Sequence, residues 1–376
     1  MGGSFAVFDA LGIKNTFDAS ASVFKPSYLQ FLNFTGSPIN FKKLHIPEFK
    51  TAKPGDWKIG AEIWIKGTER YNENQRNHVK ANNLLAHDLR STCNIFYNEL
   101  FEEMKNEKFY VKKKPPRFDI LFQNIRLHFF NQHPLGIFKT FPKHDKIVYI
   151  GGTHVEENKE LNIKVKKVDD EHQCVVLVSF GTVLFSGGLE DEDIEIMLNE
   201  FKEYKNCLFK VRIEEHRLPF NYESISNLEV YETENLPDGM LPQKQILFTQ
   251  STKLFISHCG QHSLTEAMYA GVPLICIPNA DDQLYNASIV EHLGIGIYVS
   301  LAFIDEDGNR KTNENFENDF SLALGELLSN NFDYYQKKSY ELRNEILNYP
   351  PTTNNILKNN WMKEVFLEEI KKVIGE

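Results

Sequence analysis

"KLFISHCGQHSLTEA", residues 253–267, decides how the chain is read. An apolar run leads straight into His258, Gly260, His262 and Ser263, and Glu266 follows on a segment with helical spacing. With a strand over 253–258 and a helix over 262–270, the residues between them form the loop at the carboxyl end of a parallel strand. Open α/β sheets bind their ligands there. Gly260 lets backbone approach a ligand closely, and the free N–H groups opening the helix favour an anion such as a diphosphate. His262, Ser263 and Glu266 fall at i, i+1 and i+4, so His262 and Glu266 share a face with Ser263 beside them. A hydroxyl at the helix start suits a phosphate, and a carboxylate one turn on suits a sugar diol. The same pattern is also plain strand–loop–helix punctuation, with Ser263 as a cap and Glu266 in solvent, so the flanks must decide.

Upstream, "GMLPQKQIL" (239–247) places Gln243 in a proline-marked loop before the strand. Downstream, "GVPLICIPNADDQ" (271–283) ends its apolar run at Pro278 and presents Asp282 and Gln283, a pair able to grip neighbouring hydroxyls of a hexose. Further out, apolar runs at 174–180, 207–213, 228–232, 253–259, 273–278 and 296–300 alternate with helical segments. Continuous apolar runs suit parallel strands buried on both faces, and the βαβαβ order predicts a doubly wound sheet. The first half is read as α/β on weaker grounds. "FAVFDALGI" (5–13) and "RFDILFQNIR" (117–126) each fit a short helix or a strand, and 66–113 is polar with helical patterning.

The charged, aromatic-poor segment 155–173 reads as a solvated linker, giving a first domain over 1–165 and a second over 166–355. In the tail, 356–376, a stripe of Trp361, Val365, Phe366, Ile370, Val373 and Ile374 predicts an amphipathic helix packed on the body. Its polar face is mixed rather than basic, which disfavours a membrane surface.

A length of 376 residues suits two domains, and 41% hydrophobic with 25% charged residues is the balance of a soluble globular chain. The net charge of -10, without a basic block, excludes a surface built to neutralise nucleic-acid phosphates. Five cysteines with no CxxC pair suggest neither a zinc site nor a disulfide framework, so buried free thiols are expected. "MGGSFAVFDALG" lacks the basic-then-apolar order of a signal peptide, and no run approaches the ~18 apolar residues of a membrane span. As written, the chain is expected in the cytoplasm.

From Gln243 to Gln283 the order Pro-Gln, His-x-Gly-x-x-Ser-x-x-Glu, Gly-Val-Pro and Asp-Gln resembles the donor-binding signature of the UDP-glycosyltransferases. That superfamily holds the animal glucuronosyl- and glucosyltransferases and the plant glucosyltransferases. "VVLVSFGTV" (175–183) is similar to the first strand and loop of the family's donor domain, and "KIVYIGGTH" (146–154) to the segment leading into it. In the first half, "LGIKNTFDASAS" (11–22) carries a fainter likeness.

The resemblance implies a GT-B fold of two Rossmann-like domains and a hexosyltransferase of glucuronosyltransferase type. Such an enzyme moves glucuronosyl or glucosyl from a UDP-sugar to a small lipophilic acceptor with inversion, without metal or other cofactor. It further implies Gln243 beside the uracil and ribose, His258 and Ser263 on the diphosphate, Glu266 on ribose hydroxyls, Asp282 with Gln283 on the sugar, and Thr182 near the diphosphate. There are two departures. Met240 stands where the family has a uracil-stacking tryptophan, and His262 stands where it has asparagine. Methionine offers apolar contact without an aromatic face.

Aligned by this signature, Met1 falls past the family's catalytic histidine and its aspartate partner, which implies a complete donor half and a shortened acceptor half. His45, His78, His87, His128, His133 and His144 sit in no motif, so the catalytic base is unassigned. The alternative is a UDP-binding or partner protein of impaired activity, pairing with full-length relatives, which the resemblance places at the endoplasmic reticulum membrane.

Overall fold

The computed structural model describes residues 2–34, 39, 44–108, 116–157, 173–182, 187–219, 221–231, 236, 240–304, 310–349 and 361–375. The first half opens with helix α1 (Gly2–Ala10) and strand β1 (Phe17–Ser20). It continues through α2 (Glu69–Arg90), α3 (Thr92–Asn106) and α4 (Phe118–Asn124), then adds β2 (Leu127–Phe130) and β3 (Ile147–Tyr149). Both ambiguous stretches, 5–13 and 117–126, are therefore helical over most of their length. The strands form one parallel sheet in the order β1-β2-β3, with Phe17 opposite Leu127 and His128 opposite Ile147. Phe5, Phe24, Phe118, Phe122, Phe130 and Phe138 dominate its core.

A short helix, α5 (Thr153–Glu156), follows where the linker was expected to begin. Val155 and Glu156 are buried, which corrects that reading. The Tyr269 hydroxyl donates to Glu156 Oε1 at 2.8 Å and the Met362 backbone N–H donates to Oε2 at 2.7 Å, so a charge that looked solvated has two partners. The expected boundary near 165 lies outside the described residues.

All six expected strands of the second half form. They and their helices run β4 (Cys174–Ser179), α6 (Asp191–Glu203), β5 (Cys207–Arg212), β6 (Leu228–Val230), α7 (Gln243–Leu247), β7 (Thr252–Ser257), α8 (Gln261–Ala270), β8 (Leu274–Cys276), α9 (Gln283–Leu293) and β9 (Gly296–Tyr298). The sheet is parallel throughout, in the order β6-β5-β4-β7-β8-β9. The chain starts in the middle at β4, walks to one edge and crosses back, so the order reverses between β4 and β7. In a doubly wound sheet that is the ligand crevice. Strand alternation sends Val176 and Val178 into one aliphatic core and Val175 and Leu177 into the other. Helix α6 begins with a capping box between Glu190 and Asp193, and α8 and α9 end on left-handed Gly271 and Gly294.

The cysteine expectation is overturned. Cys174 and Cys207 face each other in the β4–β5 register and are disulfide-bonded, and Cys259 is bonded to Cys276. The β4–β5 pairing and the turn just after β7 join residues 33 and 17 positions apart, which no local spacing motif announces. The side chain of Cys93 lies outside those described.

Two further helices, α10 (Phe316–Gly325) and α11 (Phe332–Leu347), pack on the second half, and α12 (Trp361–Ile374) returns to the first. Phe366 of α12 meets Phe129 of β2 edge-on, with ring centroids 4.7 Å apart; the residue this helix buries is Met362, outside the expected stripe, whose members are half-buried except for exposed Ile374. Among the described residues no helix is long and apolar enough to cross a membrane.

Candidate functional site

A cavity of about 640 Å³ opens at the β4–β7 crossing point. His258 follows β7 directly, and the next residue, Cys259, adopts φ +64°, uncommon for a residue with a side chain. That turn is held because the Cys259 N–H donates to Ser257 Oγ at 3.1 Å and its carbonyl accepts from Asn286 Nδ2 at 3.0 Å. It packs the His258 ring between Gly181 and Gly260, where a Cβ would come within 2.9 and 2.6 Å of Nε2. Neither position tolerates a side chain without moving the imidazole. Burial pushes His258 down to about 4, so it is neutral at pH 7, and its Nδ1 is buried without a protein partner.

Gly260 is the N-cap of α8 and brings no capping side chain, which leaves the first-turn N–H groups available to a ligand. Ser263 and Glu266 are 5% and 8% exposed, and both line the cavity. Gln243 ties them together, its Nε2 donating to Ser263 Oγ at 3.2 Å and to Glu266 Oε2 at 2.8 Å. It is the first residue of α7 rather than part of a loop. Met240, 62% exposed, lines the same end. Across the cavity stand Phe180, Gly181 and Thr182 from the loop after β4.

Of the ten residues singled out in the sequence, nine line this cavity: Thr182, Met240, Gln243, His258, Gly260, His262, Ser263, Glu266 and Gln283. Asp282 does not. Its Oδ2 accepts from the Ser22 hydroxyl at 2.8 Å, and its neighbour Asp281, at φ +53°, faces the cavity instead. Burial pushes the Asp282 carboxyl up, and the Ser22 bond partly offsets this. Gln283 braces the loop after β8, its Oε1 accepting from the N–H groups of Asn279 at 2.8 Å and Ala280 at 3.2 Å.

Sequence reasoning missed the contribution of the first half. Ser22, Asn131 and His154 follow the carboxyl ends of β1, β2 and β3, and each meets one donor-side residue. Ser22 meets Asp282. Asn131 Nδ2 lies 3.3 Å from His262 Nε2, and His154 Nε2 lies 3.5 Å from Glu266 Oε1. The His154 and His262 rings are 4.6 Å apart. Burial, then the His154 imidazole, pushes His262 down, against the pull of Glu266 and Asp282. The available signal was positional and partial, since Asn131 and His154 follow the apolar runs of β2 and β3 while Ser22 follows none. Arg212, at the end of β5, also lines the cavity. None of the six first-half histidines weighed as a base does so; His128 is fully buried, its Nδ1 3.2 Å from Asp18 Oδ2.

The chain is similar to known proteins of one family. The sequence profile of "UDP-glucoronosyl and UDP-glucosyl transferase" matches residues 81–321, more than half of the chain. The UDP-glucuronosyltransferase-type protein ugt-48 of Caenorhabditis elegans is 28% identical over 238 residues, 60% of this chain and 42% of that protein. The ecdysteroid UDP-glucosyltransferase of Spodoptera littoralis nuclear polyhedrosis virus is 26% identical, over 51% of this chain and 36% of its own length. The chain spans about two fifths of the length of the first of these curated relatives. Among solved structures, Os79 from O. sativa in complex with UDP superposes with a TM-score of 0.47 at 18% identity, covering 68% of this chain and 58% of its own.

Proposed function

The chain belongs to the UDP-glucoronosyl and UDP-glucosyl transferase family, and we propose that it binds a UDP-sugar in the cavity at the β4–β7 crossing. We further propose that it serves inverting transfer of the hexosyl group to a small lipophilic acceptor. One observation carries the reading: the segments after β4, β7 and β8, together with the start of α7 and the turn before it, bring nine of the ten candidate residues to one cavity. In this reading the uracil lies by Met240 and Gln243, and the ribose hydroxyls bond to Glu266. The diphosphate rests on Ser263, His258 and the first N–H groups of α8. Charge grows on the leaving diphosphate, and preorganised donors in a partly dry site stabilise it without reorganising. A neutral imidazole still donates one hydrogen bond, so His258 fills this role without carrying charge. No metal or cofactor enters the reading.

The test is calorimetric titration with UDP, UDP-glucose and UDP-glucuronate, repeated on Glu266→Ala and His258→Ala. Saturable binding in the parent, weakened about tenfold or more in each variant, is expected, since hydrogen bonds to charged groups are worth ~1.5–3 kcal/mol. A folded chain that binds none of the three overturns the reading. The Ser22–Asp282 bond favours one narrower alternative, a UDP-binding protein that does not engage the sugar. Equal affinity for UDP and UDP-glucose, with no transfer, would support it.

A further inference from the structure

Three observations converge on His154, a residue outside the donor signature. First, its backbone is locked. A Cβ on Gly151 would come within 2.3 Å of the Gln132 carbonyl carbon, and one on Gly152, at φ +119°, within 2.0 Å of the Tyr269 hydroxyl. Two residues on, Glu156 takes the bond from that same hydroxyl, so 151–156 is fastened against α8 on both sides of His154. Second, the His154 carbonyl accepts from Lys244 Nζ at 3.3 Å, tying it to α7, which carries Gln243. Third, its Nε2 is buried, makes no hydrogen bond, and packs 3.5 Å from Glu266 Oε1, while Gln243 holds Oε2 of the same carboxylate at 2.8 Å. The Glu266 carboxylate is thus flanked on one oxygen by the second half and on the other by the first.

We propose that His154 is a positioning residue for Glu266, holding the plane of its carboxylate so that it presents to the ribose hydroxyls of a uridine nucleotide. This rests on the donor-site reading above. His154 does not line the cavity, so its influence on a ligand passes through Glu266. A carboxylate held at only one oxygen is free to turn toward His262, and it then meets a diol less well. The loss must follow the ribose hydroxyl rather than the uracil or the phosphates.

The experiment titrates the full chain and its His154→Ala, His154→Gln and Glu266→Ala variants with UDP and with 2′-deoxy-UDP, alongside thermal unfolding of each. His154→Ala is expected to weaken UDP a few-fold, about the worth of one weak polar contact that orients the carboxylate. It should leave 2′-deoxy-UDP within about twofold on that basis. His154→Gln, which keeps a polar group of similar reach beside Glu266, should restore most of the UDP affinity, and a fourth variant combining His154→Ala with Glu266→Ala should lose no more than Glu266→Ala alone. Equal weakening of both nucleotides, or none, overturns the role of His154. A parent chain that binds both nucleotides equally overturns the assignment of Glu266 to the ribose, and the proposal with it. A parent that binds neither overturns the donor site itself.

Discussion

The two parallel sheets are buried by different means. The six-stranded sheet lies between two cores in which valine, leucine and isoleucine outnumber the aromatic residues, and nearly every residue in them comes from the second half. The three-stranded sheet is packed by phenylalanine and tyrosine, and its core is completed from across the seam by Tyr285 and Ile289 of α9. Tyr285 meets Phe138 edge-on at 4.9 Å and Phe49 at a tilt at 5.4 Å, the Trp57 indole N–H donates to Ser288 Oγ at 2.8 Å, and the Gly55 N–H donates to Glu291. Three short strands offer little flat surface for branched aliphatics, and large rings fill the irregular space that remains. The donor sheet therefore supports itself, whereas the first half leans on one donor helix.

The largest expected effect breaks that support. Tyr285→Ala removes a fully buried ring shared by the two halves and should cost ~3–5 kcal/mol, as truncations of large aromatics do, read by denaturant unfolding. A cost below ~1 kcal/mol would show that the first half stands without α9. Glu291 sharpens the comparison through pH. Burial pushes its carboxyl from 4.5 up to about 7, with the Gly55 N–H working against the shift. For an acid raised on folding, the stability is fully present below pH 4.5, where the group is protonated in both states. It is lost as pH rises through about 7, because the unfolded chain ionises first. Glu291→Gln should thus stabilise by ~2 kcal/mol at pH 8 and barely at pH 4.5; equal effects at both pH values would remove the buried charge as cause.

Smaller again is the effect of Ser22→Ala, which releases Asp282. We expect UDP-glucose binding to tighten a few-fold relative to UDP, about the worth of one neutral hydrogen bond. An unchanged ratio would mean that Asp282 never reaches the sugar. At the bottom of the scale, Lys53→Ala breaks a half-exposed ion pair with Glu73 on the first half, 2.8 Å long. It should shift stability by less than ~0.5 kcal/mol, and a larger loss would show that the surface of this half is also structural.

Legibility followed the same divide. The second-half strands were readable because strands buried on both faces appear as unbroken apolar runs, and the loops after them carry the chemistry. His258, Gly260, Ser263 and Glu266 could be placed from one fifteen-residue stretch for that reason. In the first half, rings such as Phe118 and Phe122 pack without a clean period, so 117–126 fitted helix and strand alike. Contacts between distant segments were silent: nothing near Ser22 points to Asp282, nothing near His154 points to Glu266, and nothing near Cys174 points to Cys207. Glu156 misled outright, since a charged residue in a charged stretch gives no sign of a tyrosine 113 positions away.

The pairing of the cysteines has a mechanical consequence. Six strands make five seams, and the two disulfides lie along β4–β5 and β7–β8. Four of the six strands are therefore tied covalently in two pairs, and the β4–β7 seam between the pairs is held by backbone hydrogen bonds and the shared cores, with a register slip at Val175–Val176. That seam without a disulfide lies directly beneath Gly181 and His258, so the loops on the two sides of the cavity stand on strands that are cross-linked separately.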